Sequence, residues 1–75
     1  TIEFDMPVTE QITMVILDVR GRVVRTLINN EQRFGYQSVV WDAKNDDGDK
    51  VSSGVYFYQI RSNNFNAVGK LVFVK

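Results

Sequence analysis

The sequence predicts an all-β domain built as a two-sheet antiparallel sandwich of about seven short strands. Apolar side chains recur with a period of two residues, and no helical period is present. β-Branched and aromatic residues, which favour strands, dominate the apolar runs. Clusters of Gly, Asn, Asp and Ser separate these runs at short intervals, as turns do. A small barrel is the structural alternative.

The first three predicted strands lie on either side of a tight turn. Thr1–Asp5 alternates in polarity and ends at Pro7, because proline cannot donate to a sheet ladder. Gln11–Val19 is apolar on both faces in its second half, which indicates a central strand. Gly21 supplies the positive φ of a hairpin turn, and Arg22–Ile28 returns as the third strand.

Four further strands are predicted after a polar loop at Asn29–Gly35. Val39 and Trp41 point inward from the first of them. The segment after it is the most polar of the chain and forms a turn. The four strands are Tyr36–Asp42, Val51–Ser53, Val55–Arg61 and Ala67–Lys75.

Composition limits the function classes. The chain has 75 residues, which is room for one domain. Nine Lys and Arg balance nine Asp and Glu, so the basic surplus expected of a nucleic-acid partner is missing. No apolar run approaches the roughly 18–20 residues that span a bilayer. Because the chain starts at Thr1 without a signal peptide, we expect it to be a piece of a longer protein.

The acidic turn is the first candidate ligand site. Hard cations such as calcium take oxygen ligands from loops of this composition. When Gly48 is aligned with the invariant glycine of a calcium loop, Ala43 takes the first ligand position and Gly54 takes the place of the closing Glu. A solvated turn held by Asx hydrogen bonds is therefore favoured. The polar residues are Asp42, Asn45, Asp46, Asp47 and Asp49.

The hairpin arginines and the aromatic residues are two further candidates. Arg20, Arg22 and Arg25 could receive a carboxylate or a phosphate, but Asp18 is close enough in sequence to pair with one of them. A carbohydrate-binding module would use aromatic faces as platforms. Three aromatic residues are at core-facing positions: Trp41, Tyr56 and Tyr58. Three others lie in or next to loops: Phe34, Tyr36 and Phe65.

Catalysis finds no support in the sequence. There is no His and no Cys, so Ser52 and Ser53 have no partner that would activate a nucleophile. The scattered glycines form no phosphate-binding pattern. We therefore predict a protein that is not an enzyme, with no catalytic residues, no metal site and no cofactor.

Several motifs occur in a characteristic order along nearly the whole chain. They are Phe4-Asp5-Met6-Pro7, Leu17-Asp18-Val19-Arg20-Gly21-Arg22, Trp41-Asp42, Gly54-Val55-Tyr56 and Lys70-Leu71-Val72-Phe73-Val74-Lys75. In this order the chain resembles the type A C-terminal sorting domain of type IX secretion substrates. It also resembles the Ig-like domain of the flagellar hook-capping protein. The opening and closing motifs favour the sorting domain, although Ala43 stands where that family usually has Gly.

The resemblance to the sorting domain implies an Ig-like or fibronectin-like sandwich that occupies 1–75 as a single C-terminal domain. Its implied function is a non-catalytic signal that directs a cargo protein across the outer membrane, with cleavage and surface attachment to follow. The implied partners are the type IX translocon, its sorting and cleavage machinery, and an N-terminal cargo domain in the same chain. The implied location is secreted or at the cell surface, reached through the periplasm.

Recognition residues are expected in the last strand and at the hairpin. They are Lys70, Leu71, Val72, Phe73, Val74 and Lys75, with Gly21 and Arg22 second. Core packing is the alternative role for Leu71 and Phe73, and solubility of an edge strand is the alternative for the lysines. Two other functions remain open: a structural Ig-like module of a multidomain extracellular or hook-cap protein, and a carbohydrate-binding module.

Overall fold

A computed structural model describes residues 1–74 of the chain. Four antiparallel strands form one sheet in this range, in the order β2-β1-β3-β4. The all-β prediction is therefore confirmed. The strands are β1 at Ile2–Leu17, β2 at Val23–Val39, β3 at Gly54–Arg61 and β4 at Asn66–Phe73.

The predicted count of seven strands is not confirmed, because two pairs of predicted strands are each continuous. The first two are joined in β1, although Pro7 lies between them. Pairing with β2 is interrupted between Met6, which faces Gly35, and Glu10, which faces Arg33. Pro7 thus lies at an irregularity of the ladder, where its missing N–H removes no regular ladder bond.

The third and fourth predicted strands are joined in β2, which runs through the predicted loop Asn29–Gly35. Pairing with distant residues of β1 makes this polar segment extended. Two departures from regular backbone remain, at Asn30 with φ 50° and at Gly35 with φ 78°. Both lie in the left-handed region, which is typical of bulges and bends.

The predicted edge strand Val51–Ser53 is not a strand. The segment is fixed instead by the loop before it, since the Val51 amide donates to the Ala43 carbonyl at 2.9 Å. An isolated bridge joins Lys44 to Lys50. The regular strand begins only at Gly54.

The sheet curls so that the far end of the β1–β2 ribbon packs over the other strands. One buried cluster contains Ile2 and Met6 from that far end together with Tyr56 and Ile60 of β3. Trp41 follows β2, and its ring centroid lies 5.2 Å from that of Tyr56. A single curled sheet therefore buries the core that two separate sheets were expected to bury.

Register divides the sheet into a core face and an outer face, because residues directly opposite in an antiparallel pair point to the same side. Ile16 faces Tyr58, which faces Gly69, in a row on the core side. The next row contains Leu17, Phe57 and Lys70 and lies on the outer side. No helix long and apolar enough to cross a membrane is present in residues 1–74.

Candidate interaction surface

The β1–β2 hairpin turn is organised around the carboxylate of Asp18. Its Oδ1 accepts hydrogen bonds from the backbone amides of Arg20 at 2.9 Å and Arg22 at 3.0 Å. Its Oδ2 accepts one from Arg22 Nε at 3.2 Å. The Gly21 amide donates to the Asp18 carbonyl at 3.0 Å, and Gly21 has φ 83°, as the tight turn requires. The predicted pairing of Asp18 with a hairpin arginine is confirmed.

These contacts stabilise the charged form of Asp18. The backbone amide of Arg22 is the largest cause that lowers the pKa of this carboxyl, and the amide of Arg20 and the Arg22 guanidinium act in the same direction. Arg22 is thus partly neutralised on its own hairpin, although 72% of its side chain is exposed. Its contribution to an external ligand would compete with Asp18.

The acidic loop between β2 and β3 contains the Asx hydrogen bonds that were expected for it. Asn45 Oδ1 accepts from the backbone amides of Asp47 and Asp49, both at 3.0 Å. The Gly48 amide donates to the Asn45 carbonyl at 3.0 Å. No group of three or more His, Cys, Asp or Glu is placed to hold a metal ion within residues 1–74.

The same loop covers part of the free edge of β2. The Asp46 amide donates to the Val24 carbonyl at 3.0 Å, and Asp46 Oδ1 accepts from the Thr26 amide at 2.9 Å. Arg25 Nη1 adds a bond to the Asn45 carbonyl at 3.1 Å. The loop carboxylate therefore acts as a structural cap for an edge strand.

A cleft of about 790 Å³ lies between the hairpin, the acidic loop and the segment that leads into β3. Its rim includes Asp18, Arg22 and Asp47, and Val23 and Val55 are among its apolar residues. The sequence supplies no His or Cys to it. Such a lining can hold polar and apolar groups of a partner.

The predicted recognition residues of the last strand divide between the two faces of β4. Leu71 and Phe73 are half-buried and pack against the core, so their packing role is confirmed. Lys70, Val72 and Val74 are exposed. Lys75 lies outside the described residues. Only one face of this segment is therefore available to a partner.

The two groups of predicted recognition residues lie at the same end of the sheet. Lys70 faces Phe57, and Phe57 faces Leu17, the last residue of β1 before the hairpin turn. Lys70 is thus two strand spacings, roughly 10 Å, from the start of the turn. The sequence analysis missed Val68, which shares the exposed face of Lys70 and Val72. The two-residue alternation of Val68, Lys70 and Val72 was the available signal.

The three core-facing aromatics form no exposed row. Tyr56 is buried and contacts Trp41 edge-to-face, at an interplanar angle of 68°. Tyr58 and Trp41 are half-buried against the core. This placement does not offer the sugar platform that a carbohydrate-binding module would need from these three residues.

The aromatics predicted near loops are exposed, as expected: they are Phe34, Tyr36 and Phe65. The side-chain interaction with Glu3 of β1 is the largest cause that raises the pKa of the Tyr36 phenol. The Tyr36 side chain remains part of the exposed surface.

Comparison with known proteins identifies the flagellar relationship. The family model described as the FlgD Ig-like domain matches residues 1–65. The basal-body rod modification protein FlgD of Salmonella typhimurium is 40% identical over 63 residues, which is 84% of this chain and 27% of the relative. The protein of the same name from Salmonella typhi gives the same values. No solved structure shows a significant match.

These findings correct the function implied by the first resemblance. The match to the sorting domain of type IX cargo is not confirmed. The sorting function, the type IX translocon and cleavage partners, and the location reached by type IX export were wrong, because family and relatives are flagellar. The chain spans about a quarter of the length of the curated relatives that it matches. The match covers residues 1–65 of 75, and the chain belongs to the FlgD Ig-like domain family.

Proposed function

We propose that this chain is a non-catalytic structural module of a flagellar hook-cap protein, and that it contributes protein–protein contacts during assembly of the rod and hook. The observation that carries the proposal is the 40% identity over 63 residues to proteins named for basal-body rod modification. The assembly function belongs to the whole parent protein, and this module supplies part of its binding surface.

The geometry supports a role in binding rather than in chemistry. The outer face of β4 alternates polar and apolar residues, and the nearby hairpin turn and the acidic loop are both ordered by side-chain hydrogen bonds. A surface with ordered loops loses little conformational entropy when it docks. The cleft is lined by both polar and apolar residues, which supports a role in contacting another protein.

The proposal is tested by exchanging the domain in the flagellar relative. In a Salmonella typhimurium strain that lacks its own FlgD, the Ig-like segment of a plasmid-borne FlgD is replaced by residues 1–75 of this chain. We expect hooks visible by electron microscopy and spreading in soft agar. A hybrid with Ile16→Asp is the control for folding, since it places a carboxylate at a fully buried position.

Two results distinguish the explanations. If the hybrid accumulates to the level of the natural protein and hooks form, the module supplies the contacts that assembly needs. If it accumulates and folds but no hooks form, the proposed function is wrong for this chain. Immunoblotting of cell fractions and proteolysis of the purified hybrid establish accumulation and folding in each case.

A further inference from the structure

The two edges of the sheet differ in their cover. The β2 edge is partly capped by the acidic loop through the Asp46 amide and carboxylate. β4 is the opposite edge, and within residues 1–74 no strand pairs with its outer side. An edge strand of eight residues presents a row of backbone donors and acceptors on which another chain can form a strand.

The outer face of β4 has a specific pattern of side chains. Val68, Lys70 and Val72 follow one another at two-residue spacing, and the valines are 61% and 65% exposed. Lys70 is exposed and forms no ion pair with any residue in the range 1–74. The row is therefore a cation with an exposed apolar residue on each side.

A small pocket lies between the end of β4, the start of β1 and the ring of Trp41. It has a volume of about 160 Å³, and no β3 residue contributes to it. An apolar cavity of about 150 Å³ can hold a benzene ring, so the pocket can accept one aliphatic side chain. Its lining residues are Thr1, Ile2, Trp41, Leu71, Val72 and Phe73.

We propose that the β4 edge is a strand-addition site for an extended segment of another protein, with one carboxylate of that segment facing Lys70. In an antiparallel fifth strand, the residues opposite Val68 and Val72 are apolar and the residue opposite Lys70 is Asp or Glu. The residue opposite Leu71 points to the core side, and an aliphatic side chain there enters the pocket. Backbone hydrogen bonds supply affinity and the alternating side chains supply specificity.

A second copy of the chain fits this edge less well. An antiparallel pair of β4 strands sets Val68 opposite Val72 only in the register that also sets Lys70 opposite Lys70. Like charges directly opposite each other destabilise a strand pair, whereas opposite charges stabilise it. The charge of the row thus selects an acidic partner. This inference rests on the geometry of the edge and stands independently of the flagellar function.

The test uses a synthetic peptide, Thr-Val-Leu-Glu-Ser-Val-Thr, and the whole 75-residue chain. The only tryptophan, Trp41, lines the pocket, so its fluorescence reports occupancy. We expect this peptide to bind about tenfold more tightly than the same peptide with Lys in place of Glu, given the size of cross-strand charge effects. Lys70→Glu should reverse that preference. Lys50→Glu, at an exposed loop position, is the matched control and should leave it unchanged.

Backbone pairing is tested separately with two peptides that are N-methylated at alternate amides. Strand addition predicts that methylation of one set abolishes binding and that methylation of the other set does not. The proposal is overturned if both methylated peptides bind equally, or if Lys70→Glu leaves the preference for Glu intact. Sedimentation that shows the free chain pairing through β4 would also overturn it, in favour of a second copy.

Discussion

The two edges of this sheet end in contrasting ways. At the β2 edge, a loop from the same chain donates to the Val24 carbonyl and accepts from the Thr26 amide. At the β4 edge, Lys70 is the only charged side chain of the strand. Charged residues and covering loops are alternative ways to keep an edge from aggregating. The comparison shows that the acidic loop between β2 and β3 can also cap the edge of β2. The less protected β4 edge is the better candidate for binding another chain.

The largest effect is expected from Ile16→Ala, because this side chain is fully buried in the central strand β1, between the two edges. Loss of the buried methylenes should reduce the free energy of unfolding by about 2–5 kcal/mol. Hydrogen exchange at β2 and β4 should accelerate together. Val40→Ala, at a position 69% exposed, should change the urea midpoint little. Faster exchange at only one edge would show that the edges unfold separately.

Gly69→Ala should act on the β4 edge in particular. A Cβ at this position would collide with the Tyr58 ring, which must then move. We expect a loss of about 1–3 kcal/mol, as for other overpacked sites, and faster exchange in β4 than in β2. Chemical denaturation measures the loss. The double variant with Tyr58→Leu should be less destabilised than the sum of the two single changes; simple additivity would contradict the proposed collision.

Asp46→Ala should act on the opposite edge. It removes the acceptor for the Thr26 amide while leaving the core intact, so a loss of about 0.5–1.5 kcal/mol is expected. Exchange of the Thr26 amide should increase most. Asp47→Ala is the matched control, since Asp47 contributes its backbone amide rather than its carboxylate to the loop. If the two substitutions reduce stability equally, the Asp46 carboxylate does not cap the β2 edge in the way proposed.

The smallest effect should come from the hairpin and should depend on pH. The folded pKa of Asp18 is lowered, chiefly by the Arg22 amide, so its stabilising contribution is present above the unfolded pKa of about 3.9 and is lost as pH falls through the folded value. Asp18→Asn should therefore reduce the fall in the free energy of unfolding, measured with urea, as the pH is lowered. Arg22→Gln keeps the backbone amide and should retain most of the slope. If Arg22→Gln abolishes the slope, the pH dependence comes from the Arg22 guanidinium and not from its backbone amide.

Local pattern predicted much of the second half of the chain. The strand expected at Val55–Arg61 corresponds to β3 at Gly54–Arg61, and the inward positions of Val39 and Trp41 are confirmed by their packing against the core. The turn around Gly21 also forms as expected. These features depend on alternation and on backbone preferences, which are encoded within a few residues.

Pairing between distant segments explains what the pattern missed. The polar segment Asn29–Gly35 has little strand propensity of its own, yet it lies in β2 because β1 pairs with it. Pro7 was expected to end a strand, but it sits at an irregularity where no ladder bond is required of it. Local propensity is a weak predictor when a neighbouring strand supplies the hydrogen bonds.

Composition and two-residue alternation were enough to predict an all-β module without His or Cys, and the order of the motifs included the flagellar family among the two resemblances. Strand pairing was needed to show that four strands form one curled sheet, that Asp46 caps one edge, and that Val68, Lys70 and Val72 lie along the other. Composition and alternation are local properties of the chain, whereas a sheet edge exists only after all strands have paired.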